Sequence, residues 1–408
     1  MSFLRRLFGK REKAAVRDED RFAQRVMVAL KKRDTAINVE YNPDKFELIH
    51  VDDCAKGQRT FLHNSFAEYR RLPLDDKEVH LNRVIAFIIE SRKPMAQGDA
   101  ALDKLLPVLR PRADTLAIVS AAPEFSYSRS SRPFCDSMLL MLALDSEASI
   151  ALVNDEKLDE LGISFDDALG IAVAQLDEKG AHTYAQLEAG IFVSASGDSY
   201  DSSRMLLPEM FLKLPLKGNP VAIVQSRSSV LVTGSEDVIG LEKIAGIALA
   251  EISETERAVS LTPVELYNGV WRVFDILPHH PLALRNLLPN QLCWSFGATK
   301  AALQEKLGDD IFVANAMLVE KDGAAVTLAV WGVDVVTACP DVDALAIQED
   351  GEFPQIIRKL EDVMQVCGQF SIIDAMPYPK RYYLPARMTS AQRAELTQAF
   401  PEFEFDRN

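Results

Sequence analysis

Ser194-Ala-Ser-Gly-Asp-Ser-Tyr-Asp-Ser-Ser-Arg204 runs into Met205-Leu-Leu-Pro-Glu-Met-Phe-Leu-Lys-Leu214, Val221-Ala-Ile-Val-Gln225, Ser229-Val-Leu-Val-Thr-Gly234 and Ser235-Glu-Asp-Val-Ile-Gly-Leu-Glu-Lys-Ile244. This order predicts a polar turn, a helix, a tight hairpin and a second helix. Gly234 permits a sharp strand-to-helix change. Ser235 reads as the N-cap of the second helix, with Glu236 and Asp237 favourable in its first turn. Asp198 and Asp201 read the same way for the first helix. Each polar turn joins a strand to a helix, so the two are expected side by side at one end of a sheet.

On the N-terminal side, Leu187–Val193 reads as the strand leading into this stretch. Ser164 caps a helix that runs to Glu178 and stops at Gly180. Met138–Leu144 and Ile150–Val153 are apolar runs that suit buried strands. Leu105-Leu-Pro-Val-Leu-Arg-Pro-Arg112 is strand-like but interrupted by proline, which suits a sheet edge or a linker. Residues 120–133, with Ser126-Tyr-Ser-Arg-Ser-Ser-Arg-Pro133, are the most loop-like part of the body. Nearer the start, helices are expected around Phe22–Leu30, Phe66–Leu72 and Val79–Glu90, with a hairpin turning at Asn42-Pro43-Asp44.

On the C-terminal side, polar residues 253–260 suggest a boundary. A second unit follows, with a break at Pro278-His-His-Pro281 and a helix through Leu307. A hairpin turning at Lys321-Asp322-Gly323 comes next, then a helix near Phe353–Val366. Helices mixed with hairpins in both halves predict an α+β fold of two mixed helix and antiparallel-sheet domains. The expected divisions are a basic tail at 1–19, a first domain at 20–257, itself divisible near 100–133, and a second at 258–408.

The chain has 408 residues, 48% hydrophobic and 26% charged, with a net charge of −15. Residues 1–17 carry six basic side chains against Glu12, or +5, which leaves −20 on the remainder. Such a body repels nucleic acid, and none is expected as a partner. Phe3, Leu4, Leu7 and Phe8 among those basic residues would suit weak contact with a membrane surface. Cys54, Cys135, Cys293, Cys339 and Cys367 are scattered and odd in number, which suits a reducing compartment. No apolar run reaches the roughly 18 residues of a membrane span. Basic residues interrupt any signal-peptide core. A cytoplasmic protein is therefore expected.

Several segments together resemble the YtpQ-like proteins, a bacterial family of unknown function. They are Phe61-Leu-His-Asn64 with Glu68-Tyr69, Leu105-Leu-Pro-Val-Leu-Arg110, Phe134 with Leu142-Ala-Leu-Asp145, Leu158 with Leu161-Gly-Ile-Ser164, Gly197-Asp-Ser-Tyr200 with Ser203 and Leu206-Leu207, and Thr233-Gly-Ser-Glu-Asp237. The resemblance spans about residues 20–250 and implies no chemistry.

Nucleotide-binding, metalloprotease and hydrolase signatures are absent from the sequence. Six histidines are dispersed; His279-His280 would point to opposite faces of a strand, so no metal and no cofactor is expected. Ser199, Arg204, Arg227, Thr233 and Ser235 are the candidate ligand-binding residues, drawn from the turns at 197–204 and 233–237 and the hairpin between them. Arg110, Arg112, Arg129 and Arg132 would join Arg204 and Arg227 in an anion site if they converged. The expected function is a non-catalytic binding or adaptor module for a protein or peptide; an enzyme with its site near the two turns is the alternative.

Overall fold

The computed structural model describes residues 17–52, 58–92, 97–121, 126–146, 150–180, 183–252, 257–332, 334–348, 356–368 and 370–404. The tail at 1–16 and Cys54 lie outside them. The chain forms two compact units, Met1–Ala96 with Asp145–Ala151, and Gln97–Leu144 with Leu152–Asn408.

The first unit contains α1 (Asp18–Arg33), β1 (Val39–Asn42), β2 (Glu47–His50), β3 (Arg59–Phe61), α2 (His63–Arg71) and α3 (Leu74–Ser91). Three acids open α1 and three bases close it, matching the helix dipole. The strands form an antiparallel sheet in sequence order. Phe22, Val26, Leu30, Leu48, Phe66 and Ile88 fill the core. A polar brace closes the far end of the sheet: Arg92 grips Asp52 through two hydrogen bonds of 2.5 and 2.8 Å and donates to His50 Nδ1 at 3.0 Å.

The second unit opens with α4 (Asp99–Leu102), β4 (Leu105–Pro111) and α5 (Arg112–Ala121). Then come β5 (Ser131–Phe134), β6 (Met138–Asp145, all but its last residue in this unit), α6 (Asp155–Leu161) and α7 (Phe165–Glu178), while Ile150 and Ala151 of β7 (Ile150–Leu152) belong to the first unit. Antiparallel β4, β6 and β5 lie in that order, so β4 is an edge strand, not a linker. Its prolines fit because Pro107 and Pro111 fall at positions whose backbone nitrogen faces away from β6, while Arg112 N donates to Ser137 O. β4 is nonetheless buried almost throughout, because α7 packs on it.

The central sheet is built from β8 (Tyr184–Glu188), β9 (Ile191–Ser194), β10 (Pro220–Ser226), β11 (Ser229–Gly234), β12 (Val264–Tyr267) and β13 (Val270–Val273). Every neighbouring pair is antiparallel, and the order is β13-β12-β10-β11-β9-β8. A 3₁₀ turn (Ser202–Leu206) and one helical turn, α8 (Glu209–Leu212), stand where one helix was expected over 205–214, since Pro208 interrupts it. α9 (Val238–Glu251) covers the sheet, and Ile223, Leu231, Leu241 and Ile244 form the core between them. The boundary expected at 257/258 falls inside this sheet, because β12 pairs with β10. Local polarity at 253–260 marked a connection within a domain, not its end.

α10 (Leu282–Leu307) leads into β14 (Ile311–Val313), β15 (Met317–Lys321), β16 (Ala324–Trp331), β17 (Val336–Pro340), β18 (Ala344–Ile347), β19 (Ile356–Lys359), α11 (Leu360–Cys367), β20 (Arg381–Leu384) and α12 (Ser390–Ala399). These strands form two sheets, β15-β16-β18-β19 and β14-β17-β20. Asp322 and Gly323 both have left-handed φ, as the Asp-Gly signal requires. Residues 356–359, expected as helix, are strand β19 paired with β18. α12 was not expected, although its Thr389-x-x-Gln392 capping box is explicit in the sequence. The fold is α+β. No helix among the described residues is long and apolar enough to cross a membrane.

The β5–β6 connection carries Cys135 at φ 45° and Asp136 at φ 60° in consecutive left-handed positions where glycine or asparagine is favoured. Asp136 also faces Arg112 at 3.8 Å, but the carboxylate is 62% exposed, so that pair contributes little. Asp136→Gly is therefore expected to stabilise the protein by about 0.5–1 kcal/mol. Denaturant unfolding checks this; an unchanged or lower midpoint would contradict it.

Candidate functional site

The two polar turns are not neighbours. β9 and β11 are antiparallel, with Leu231 opposite Val193 and Val232 opposite Phe192. The turn after β9 and the turn after β11 consequently leave opposite ends of the sheet. Ser199, Arg204 and Arg227 lie at one end, Thr233 and Ser235 at the other. Sequence order cannot reveal this, since strand-to-helix turns share an end only when their strands run parallel.

At the Thr233 end the polar groups are used structurally. Thr233 Oγ1 donates to Gly190 O at 2.9 Å, and Ser235 Oγ accepts from Asn219 N at 2.9 Å. Asp237, not Ser235, caps α9 by accepting from Gly240 N at 3.1 Å. Gly234 is needed for space: a Cβ there would collide with the backbone of Lys217.

At the other end, Ser199 is half-buried and left-handed, with φ 65°. Arg204 is 1% exposed and its fork is closed on Asp198 by hydrogen bonds of 2.8 and 2.7 Å. Asp198 thus holds Arg204 and the amide of Tyr200, and Asp201 accepts from Ser196 N. Neither aspartate caps a following α-helix, because the turn that follows is 3₁₀. Three other candidate arginines are committed too. Arg129 pairs with Asp159 at 2.7 Å, Arg132 lies over the Phe165 ring, and Arg112 lies over the Tyr378 ring.

Arg110, Arg227 and Arg257 differ from all of these. Ser202 N donates to Arg227 O at 3.0 Å, which ties the 3₁₀ turn to the β10–β11 turn. Ser226 forms an isolated antiparallel bridge to Ala258, and Arg227 and the left-handed turn residue Arg257 (φ 54°) adjoin that bridge. Like charges held near one another in a protein are destabilising. Arg110, 7% exposed on β4, approaches both. Burial, repulsion from Arg227 and repulsion from Arg257 lower its proton affinity to about 9, against a favourable contribution from Tyr200. Arg227 is lowered to about 10 by burial and then by Arg257. Both stay cationic at neutral pH. Among the described residues none of the three has a carboxylate partner, and the one hydrogen bond of the Arg110 guanidinium is to Leu109 O at 2.9 Å. Exposure rises from Arg110 through half-buried Arg227 to exposed Arg257, so the cluster meets solvent on the Arg257 side.

The serine-rich loop at Ser126–Ser130 is tied to one carboxylate. The Asp155 carboxylate accepts from Ser126 Oγ (2.6 Å), Ser128 N and Oγ (3.1 and 2.8 Å), Arg129 N (3.0 Å), and Ser130 N and Oγ (both 2.9 Å). Burial by itself would raise this carboxyl; the serine hydroxyls and the Arg129 amide outweigh it and hold Asp155 well below the usual carboxylate range.

In the first unit, a recess of about 340 Å³ lies over Phe46 and Phe66, with Arg17 and Asp44 among its lining residues. Arg17 is engaged there by Asp20 and the Pro43 carbonyl, both at 3.0 Å. His280 accepts from Leu277 N and stacks on Phe274, which gives the His279-His280 pair a structural use. No group of three or more metal-ligating side chains is assembled among the described residues.

The chain matched no family model, no curated protein and no solved structure.

The Asp155 clasp can be tested directly. Asp155→Asn places an amide nitrogen among donors and is expected to cost about 2–4 kcal/mol in denaturant unfolding. A folded-state pKa held low contributes stability above the ordinary carboxylate value of about 3.9, lost as pH falls below it. The wild type should therefore lose more stability than Asp155→Asn on acidification from pH 5 toward 3; parallel losses would contradict this reading.

Proposed function

We propose that the protein is a non-catalytic binding module whose ligand carries an anionic group, held by Arg110, Arg227 and Arg257. The feature that supports this reading is the mutual electrostatic repulsion of three arginines that have no carboxylate partner among the described residues, one of them largely buried. Buried charge is costly unless paired, and a bound anion would supply the missing partner. Guanidinium forks suit carboxylate and phosphate oxygens in particular. Guanidiniums that stay cationic at neutral pH are neither nucleophiles nor general bases, so the three arginines themselves favour binding over catalysis. A protein or peptide that presents the anionic group, a cytoplasmic setting and membership of the YtpQ-like family belong to the same proposal. Weak membrane-surface contact through residues 1–17 would be separate from it.

The reading expects a trade between ligand-free stability and binding. Arg227→Gln removes the repulsion with Arg257 and should raise ligand-free stability by about 0.5–1 kcal/mol. At constant ionic strength, a panel of carboxylates and phosphates should contain anions that raise the melting temperature of the wild type and leave the variant unmoved. A wild type that responds to no anion beyond chloride would overturn the proposal.

A further inference from the structure

We propose that the recess in the first unit holds a free aromatic α-amino acid, at a site separate from the arginine cluster. Five of its lining side chains, His63, Phe66, Ala67, Arg70 and Arg71, recur at helical spacing along one face of α2. The start of α1 and the β1–β2 turn supply the other wall. The volume, about 340 Å³, suits a small molecule. The floor is aromatic: Phe46 and Phe66 are buried and meet edge to face, with ring centroids 5.5 Å apart. Phe46 takes this place at φ 47°, a left-handed conformation that bulky residues rarely adopt. Strain of that kind persists where the surrounding structure needs the residue. The exposed His63 ring packs edge-on against Phe46, 5.2 Å between centroids.

Charge is divided between the two walls. On α2, the exposed Arg70 guanidinium stands over the Phe66 ring, 5.8 Å from its centroid, and has no carboxylate partner among the described residues. On the other wall the acids are Glu19 and Asp44. The arginine of that wall, Arg17, is already engaged by Asp20 and the Pro43 carbonyl, both at 3.0 Å. Neither the Glu19 nor the Asp44 carboxylate has a hydrogen bond or ion pair among the described residues. A monoanion would satisfy Arg70 and be repelled by the acids, and a monocation would do the reverse. A zwitterion matches both walls, with its carboxylate on the Arg70 fork and its ammonium beside Glu19 and Asp44. An aromatic side chain between those two groups would cover Phe46 and Phe66.

Calorimetric titration of the full-length protein at neutral pH and fixed ionic strength tests this with L-phenylalanine, 3-phenylpropanoate, phenethylamine and glycine. The last three lack, in turn, the ammonium, the carboxylate and the aromatic ring. L-Phenylalanine is expected to bind, and each of the others at least about ten-fold more weakly. Arg70→Gln and Asp44→Asn should each weaken L-phenylalanine about five-fold or more. Both positions are exposed, so an unchanged far-ultraviolet spectrum is expected for each variant. Arg227→Gln should bind L-phenylalanine as the wild type does, which separates this site from the arginine cluster. No binding of L-phenylalanine, or binding that both Arg70→Gln and Asp44→Asn leave intact, would overturn the proposal. Equal binding of phenylpropanoate or phenethylamine would overturn the zwitterion, and equal binding of glycine would overturn the aromatic side chain.

Discussion

The second unit depends on the burial of one helix. α10 sends Leu284 and Leu287 into the core beneath the central sheet, Phe296 into the core of the β15–β19 region, and Leu303 into a third core with Val313 and Ile373. A helix apolar on several sides must be surrounded, and here α5, α9, β14, β15 and β16 surround it. Polar contacts fix its depth. Arg381, 1% exposed, reaches across to donate to Phe296 O at 3.1 Å and to Ala314 O at 2.6 Å. Pro289 is tolerated inside the helix because tertiary packing, not local propensity, holds the helix together.

The same helix positions the arginine cluster. Gln291 Oε1 accepts from Leu261 N at 2.6 Å, and Ser260 Oγ lies 2.7 Å from Ser137 Oγ. Those bonds join α10, the segment that carries Arg257 and the start of β6, which pairs with the strand that carries Arg110. Rigid elements thus hold like charges together that solvent would otherwise separate. If Arg110 on β4 and Arg227 in the two-residue β10–β11 turn serve the proposed site, they are preorganised for it, because rigid elements carry them.

The contrast with other polar groups of the unit sharpens this. Arg204 is as deeply buried as Arg110, yet Asp198 closes its fork; Asp155 is buried, yet six donors surround it. Among the described residues Arg110, Arg227 and Arg257 have no carboxylate partner and repel one another, which is the basis of the anion site proposed above.

Local physical chemistry was enough for much of the fold. Alternating or solid apolar runs located β6, β10 and β11; Asp322-Gly323 located its hairpin; Ser164 located the start of α7. Each of these depends on neighbours a few residues apart, which is all a sequence displays. Pairing is decided otherwise. The antiparallel register of β9 and β11 separated Arg204 from Ser235, and the bridge between Ser226 and Ala258 brought Arg257, unmarked by any motif, within electrostatic reach of Arg227. The sequence by itself determined the α+β class, the acidic body and a supply of loop arginines. Only the tertiary structure decided which arginines find a carboxylate and which face one another, because charge pairing depends on distances that the folded sheet sets and the linear spacing of residues does not.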